Sequence, residues 1–509
     1  MASYSTPGVY IEDVKSVVVM PTGVASAAAF AGVAHSGPVG VPTAITSWNM
    51  YLKIFAAGLD NAFTKDSYLA YAVYGFFQNG GKLCYVLRVS NGTVSGSGVD
   101  YKAKKATVSV AEGGSVLSNG VFSAKYEGVW GNNLKVVLPM KGADEANNTF
   151  ALQVLLNGKV VESWNTLGAK ANTVGCYADT INSESDYIEI VDTTQDVDVA
   201  VIKTGVGDSA KTDIAYDFTG GVEGLSESGP LVPNNIYETA LNQLDAYDSI
   251  GFVAIPGADK DLQKIVADYC TNNQYRIAIC EGSITSTNEE LIEVRNTLGG
   301  LNALLYAPWI KVTDPLSSNG SLIPVPACGH IAGVIARISD SRGFWKAPAG
   351  TEATIRGAVD VARVITTGET DELNPKGINA ILPKTNYGIV VWGARSCNPD
   401  YTYASDLYTN ITIKKAVYDL TQTFVFEPNN SKLWTKVQTT VQSYLQGLFE
   451  QGAFAGDEAS KAYYVKCDEE LNSESVRNQG KLICEIGYAT NKPAEFIVFR
   501  ISHELVTTS

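Results

Sequence analysis

Histidine is almost missing from this chain: His35, His330 and His503 are the three in 509 residues, and they lie far apart. A histidine-rich metal site is therefore not expected, because such sites gather several imidazoles into one shell. The eight cysteines (Cys84, Cys176, Cys270, Cys280, Cys328, Cys397, Cys467 and Cys484) contain no CxxC pair. Their spread fits buried, reduced thiols in a protein made in the cytosol. Long runs of Lys and Arg are also absent; only small clusters occur, such as Lys102, Lys104 and Lys105, and the formal net charge is −15. A surface this acidic repels phosphate backbones, which argues against general nucleic-acid binding. Neither the P-loop pattern GxxxxGK[ST] nor the GxSxG elbow is present, so nucleotide-driven motion and serine hydrolysis both lack their motif. No cofactor and no metal are expected.

No apolar run reaches bilayer length. The nearest is Val17 to Ala34, VVVMPTGVASAAAFAGVA, which Pro21, Thr22 and Ser26 interrupt. A secretory signal needs positive charge before its apolar core, yet Glu12 and Asp13 accompany the single Lys15 here. The stretch reads as a tether followed by a buried strand. Production and assembly in the cytoplasm, without direct membrane insertion, are the expectation.

What is present is an ordinary globular balance, with 45% hydrophobic and 18% charged residues. The chain is long enough for two or more domains. Forty-seven glycines, and 26 Tyr against 16 Phe, suit turn-rich, β-containing domains. Residues 24 to 90 read as α/β, with a helix over Ser67–Gln78 ended by Gly80-Gly81 and a buried strand over Lys82–Val89. Residues 91 to 225 turn to short alternating runs, and Asn157-Gly158 is a hairpin signal inside a β-rich insertion. From 226 to 340 the periodicity is clearest. Strands over Ile250–Pro256, Tyr275–Cys280 and Ala303–Ala307 alternate with helices marked by Leu262, Ile265, Val266 and Tyr269, then Leu291 and Val294. That alternation implies a parallel sheet with right-handed crossovers.

Further on, Gly388–Trp392 reads as a strand. A long helix follows Pro428, capped by Asn430 or Ser431 and ended by Gly452. Leu433, Val437, Val441, Tyr444, Leu445, Leu448 and Phe449 form its apolar stripe. Both extremities carry short strand-prone segments, Val9, Tyr10 and Ile11 at one end and Phe496, Ile497, Val498, Phe499 and Ile501 at the other. A lone strand leaves its backbone groups unpaired. Pairing with another molecule by strand addition satisfies them, and pairing within the same molecule satisfies them equally.

Several blocks in order resemble the contractile tail sheath family. They are PGVYIEDV (7–14), SGPVGVPTAITSW (36–48), EGVWGNNLKV (127–136), VPACGHIAGVIARISDSRGFWKAPAG (325–350), LNPKGINAI (373–381), VVWGARS (390–396), YTNITIKKAVYDLTQTFVFEPNN (408–430) and the terminal strand AEFIVFRISHE. The chain departs from the family at Ala327-Cys328, where Pro-Ser is common, and at Lys414 and Lys415, where two Arg are common. Lysine keeps the charge there and loses the planar guanidinium fork.

The resemblance implies a structural subunit and no enzyme. It implies an α/β and α+β multidomain chain. The expected parts are an N-terminal arm (1–23), an outer subtilisin-like α/β domain (24–360) carrying the insertion, an inner tube-facing α+β domain (361–490) and a C-terminal arm (491–509). Residues 13–24 and 486–494, with Gly23, Gly487 and Pro493, are the expected linkers. The implied partners are further copies in a helical stack of hexamers, an inner tail tube protein, and baseplate and tail terminator proteins. The setting would be a phage virion tail or a contractile injection particle. Lys414, Lys415, Lys432 and Lys436 are candidate tube-facing cations, and a solvated helix surface is the plain alternative for them.

Two rival classes stand beside this one. A self-assembling shell of another kind would explain the terminal strands. A subtilisin-like hydrolase would use His330, whose surroundings Gly329, Ala332 and Gly333 faintly echo a protease histidine block. That reading lacks a serine block placed to serve as nucleophile. Asp340 and Arg342 are expected to pair locally at the surface.

Overall fold

The computed structural model describes residues 27–56, 58, 62–64, 67–90, 92–95, 98–101, 103–108, 122–205, 212–222 and 232–495. All of the arm positions named above, Val9, Tyr10, Ile11, Phe496, Ile497, Val498, Phe499 and Ile501, lie outside the described residues, as do 13–24.

The described chain falls into two compact bodies. The larger contains residues 27–411 and 490–495, the smaller residues 412–489. The division lies inside the helix Ala404–Thr421.

An eight-stranded sheet organises the larger body. Its order is Thr43–Ile45, Cys84–Arg88, Ala27–Gly32, Ile250–Ala254, Ile277–Glu281, Ala303–Ala307, Ile378–Lys384, Gly388–Val391. The inner six strands run parallel, and the two edge strands run antiparallel to their neighbours. Parallel strands buried on both faces need continuous apolar sequence. Ala27–Gly32, Ile250–Ala254 and Ala303–Ala307 are buried at every position. On one face Ala29, Val253, Ala278, Leu305 and Ile378 pack with Leu241, Val266 and Leu291 from the helices Asn234–Leu241, Lys260–Asn273 and Asn288–Thr297. Of those helices, Lys260–Asn273 is started by Asp259, whose side chain accepts from Leu262 N, and Asn288–Thr297 by a capping box between Thr287 and Glu290. Glu290 is thus a structural cap.

The helices Leu69–Gln78 and Cys328–Arg342 pack tightly on each other. Glycine permits their approach. A Cβ on Gly329 would sit 2.2 Å from the Ala72 carbonyl oxygen, and one on Gly333 2.5 Å from that of Phe76.

The insertion is a second sheet with a core of its own. Its seven strands run Lys159–Gly168, Thr149–Leu156, Leu134–Leu138, Ile214–Thr219, Thr107–Val108, Phe122–Ala124, Ile188–Ile190. Phe122, Val136, Phe150, Leu152, Tyr177 and Phe218 fill that core. Asn157 and Gly158 both take positive φ, 52° and 78°, as a two-residue hairpin turn requires. Arg88, at the end of a main-sheet strand, donates to the Gly37 carbonyl at 2.7 Å and to the Glu127 carbonyl at 2.8 Å.

Two boundaries differ from the sequence expectation. Ile378–Lys384 hydrogen-bonds in parallel to Ala303–Ala307, so residues 361–411 join the larger body rather than an inner domain beginning at 361. Gly487, expected in a linker, lies in the strand Glu485–Tyr488 opposite Tyr464, whose ring would meet a Cβ there at 2.1 Å.

In the smaller body, Asn430 caps Ser431–Glu450 by accepting from Lys432 N and Leu433 N. The expected stripe is buried along that helix, with Trp434 added and Phe449 only half-buried.

Candidate assembly sites

The hydrolase reading is decided by where His330 sits. It lies near the start of Cys328–Arg342, 2% exposed, with its ring against Gly75 of the facing helix. Burial pulls its pKa down to about 4, so the imidazole is neutral. Its Nδ1 has no hydrogen-bond partner among the described residues. A base with no carboxylate holding Nδ1 and no nucleophile against it is a packing residue. Asp340 and Arg342 do not pair with each other: Asp340 takes Lys82 at 2.6 Å, and Arg342 takes Glu352.

The four lysines separate into two kinds. Lys415 is 6% exposed; its ammonium pairs with Asp419 at 2.5 Å and stands over the Tyr418 ring at 5.3 Å. Lys414, one residue earlier, is exposed. Neighbours on a helix point about 100° apart, so a sequence pair of lysines cannot both face one way. Lys432 and Lys436 are exposed one turn apart, and Lys436 lies over the Phe424 ring at 5.5 Å. Three of the four are available to a partner, and Lys415 is already held by Asp419.

A feature not anticipated from the sequence is the turn between the two long helices. Val425 is 56% exposed and Phe426 fully so, and Phe426 takes φ 69°. A bulky residue in the left-handed region stores about 1 kcal/mol or more of strain. The only sequence signal was an apolar run, TFVF, just before Glu427-Pro428. Phe426→Gly is expected to leave urea stability unchanged or to raise it by about 1 kcal/mol, because the ring contributes no burial. Lowered stability would show that the ring packs within the chain after all.

Residues 492 and 495, near the end of the described chain, are fixed on the larger body. Arg395 grips Glu495 through Nε–Oε1 at 3.1 Å and Nη2–Oε2 at 2.5 Å, both side chains less than one-fifth exposed. Lys492 Nζ meets Asp406 Oδ2 at 2.5 Å. A forked, partly desolvated Arg–carboxylate pair is among the stronger ion pairs. The backbone of Arg395 is itself fastened to the sheet. Asn379 Oδ1 accepts from Arg395 N at 2.7 Å, and Asn379 Nδ2 donates to Arg395 O at 2.8 Å and to Leu305 O at 3.1 Å. The segment expected as linker, 486–494, is therefore held at Lys492, and Glu495 just beyond it is held as well.

Among the described residues no helix is long and apolar enough to cross a membrane. No group of three metal-binding side chains is found among them either.

Comparison with known proteins agrees with this picture. Residues 232–397 match the family described as phage tail sheath protein central domain, and residues 396–504 match the phage tail sheath C-terminal domain. The chain is 27% identical over 235 residues to a putative prophage major tail sheath protein of Pseudomonas aeruginosa (strain UCBPP-PA14). That match covers 44% of this chain and 57% of the relative, so the chain spans little more than half of the curated relative's length. Among solved structures, the anti-feeding prophage helical sheath in its contracted state is similar, with TM-score 0.56, 20% identity, and 99% and 100% of the two chains covered. The sheath complex of an extracellular contractile injection system, also contracted, gives TM-score 0.56 at 19% identity over 99% of each chain. A sheath tail protein from Listeria innocua gives 0.58 at 12% identity over 92% and 96%. At these identities the likeness establishes the fold.

Proposed function

Because the chain belongs to the phage tail sheath family, whose proteins are structural rather than catalytic, we propose that it polymerises as stacked hexameric rings around an inner tube and shortens to drive that tube through a target envelope. The observation that carries this reading is the pair of family matches, in the family's order and continuous from 232 to 504. The larger body is the outer, subtilisin-like part. The smaller body, 412–489, is the inner part facing the tube, a later start than the 361 inferred from sequence. Lys414, Lys432 and Lys436 face the tube. Exposed ion pairs contribute about 0–1 kcal/mol each and are screened by salt, so they hold register and still break during contraction.

Residues 1–23 and 491–509 act as arms that, through Val9, Tyr10 and Ile11 and through Phe496, Ile497, Val498, Phe499 and Ile501, add strands to sheets of neighbouring copies. Main-chain hydrogen bonds in such shared sheets persist while subunits rotate and slide. Baseplate and terminator proteins close the two ends of the sleeve. Assembly takes place in the bacterial cytoplasm, and the finished particle is a phage tail or a contractile injection particle.

The test is electron microscopy of three purified chains. The full chain is expected to form tubular sleeves of stacked rings. A chain lacking residues 1–12, and a Phe499→Asp variant, are expected to stay folded and monomeric. Sleeves of normal appearance from both would overturn the arms. Sheets or closed shells from the full chain would overturn the sheath.

A further inference from the structure

In the smaller body an antiparallel ladder joins Tyr463–Lys466 to Glu485–Tyr488, with Tyr463 opposite Tyr488 and Lys466 opposite Glu485. One residue further, the same register sets Cys467 opposite Cys484, and their thiols are in hydrogen-bonding contact. The phase of the ladder follows from Ala489, whose N–H donates to the Ala462 carbonyl at 2.8 Å. Opposed pairs alternate between hydrogen-bonded and non-hydrogen-bonded, and an odd number of steps separates 462/489 from 467/484. The cysteines therefore occupy a non-hydrogen-bonded pair, where Cα atoms lie about 4.5 Å apart, within the span that a disulfide bridges.

Their surroundings set them apart from the other six cysteines. Those six are all buried in the larger body, whereas Cys484 is half-buried and reachable. The loop between the pair is already closed at its neck. Asn472 accepts from Ile483 N at 2.7 Å, donates to Ile483 O at 2.9 Å and to Asp468 O at 3.0 Å, and places its amide 4.0 Å from Cys467 Sγ. Little chain entropy remains to be lost on linking the ends.

We propose that Cys467 and Cys484 form a redox modification site: they remain thiols in a reducing compartment and close to an intrachain disulfide when the chain meets a small-molecule disulfide. With oxidised glutathione the Cys484 thiolate attacks one glutathione sulfur, forming a mixed disulfide and releasing one glutathione thiolate. The Cys467 thiolate then attacks Cys484 Sγ and displaces the second glutathione. Two protein thiols are oxidised, one glutathione disulfide is reduced, and the two protons pass to the released thiolates. Contacts from Cys484 and Asn472 favour the Cys467 thiolate, although burial raises both groups, Cys484 to about 12. Closure is therefore slow at neutral pH and speeds up as pH rises and the thiolate fraction grows. Such poor leaving groups also make the disulfide long-lived once formed. The proposal does not depend on the sheath reading.

The experiment treats the full folded chain with oxidised glutathione at two alkaline pH values, then alkylates it under denaturing conditions and maps the peptides. The expected product is a Cys467–Cys484 crosslink, six cysteines still alkylated, and reversal by dithiothreitol. Nicking at exposed Lys481 should then give fragments that separate only after reduction. Cys467→Ser should instead hold glutathione on Cys484. A native chain that keeps glutathione on Cys484, or that keeps both thiols free at equilibrium with the oxidant, would overturn the proposal.

Discussion

Gly329→Ala is expected to destabilise the larger body by about 3 kcal/mol or more, although alanine favours helix over glycine by about 1 kcal/mol. The added methyl would lie 2.2 Å from the Ala72 carbonyl oxygen and 2.4 Å from its Cα. Both are backbone atoms of the facing helix, so no rotamer change relieves the overlap. The helix Cys328–Arg342 would have to move away from Leu69–Gln78 by roughly 1 Å, loosening contacts along the whole pair. Gly368→Ala is the control, since nothing lies within 4 Å of a Cβ there. Urea midpoints measure the loss, and hydrogen exchange in residues 69–78 locates it. Equal midpoints for the two variants would show that the helices are not locked at their glycines.

Two buried titratable groups near that helix oppose each other in pH, and single substitutions are expected to expose each. Glu281 ends the strand Ile277–Glu281 at 2% exposure and accepts from Gly257 N at 2.8 Å and Cys328 N at 3.2 Å. Desolvation outweighs these bonds and raises its pKa from 4.5 to about 7. The folded chain thus holds this proton longer than the unfolded chain, and stability from Glu281 falls as pH rises from 4.5 to 7. For His330 burial lowers the pKa from 6.5 to about 4. There the unfolded chain takes the proton first, and stability falls as pH drops from 6.5 to 4.

Each effect amounts to about 2 kcal/mol between pH 7.5 and pH 5, with opposite signs, so the native chain changes little. Glu281→Gln should lose about 2 kcal/mol over that acidification, and His330→Leu should gain about as much. Urea unfolding of the three proteins at the two pH values checks this. Parallel profiles would mean that neither group titrates on unfolding.

The sequence made the parallel strands legible because each had to be apolar without alternation. Ile250–Ala254, Ile277–Glu281 and Ala303–Ala307 fall within a residue or two of their expected places. The Asn157-Gly158 turn was readable because few other pairs tolerate two positive φ values. Residues 361–411 cluster with the larger body for a nonlocal reason. The partner of Ile378–Lys384 is Ala303–Ala307, about seventy residues earlier, and no periodicity in one strand announces its neighbour. The burial of Lys415 against Asp419 is not legible in sequence, because charge reads from sequence while helical phase decides burial. Phe426 was missed because φ at one turn residue leaves no pattern. Arg395 and Glu495, one hundred residues apart, meet only in the fold.

That last contact sets where traction would be borne. Any pull on the chain beyond Glu495 passes through the Arg395 fork, then through Asn379, into the interior of the eight-stranded sheet. A tether sewn into stiff fabric transmits a tug without tearing its hem.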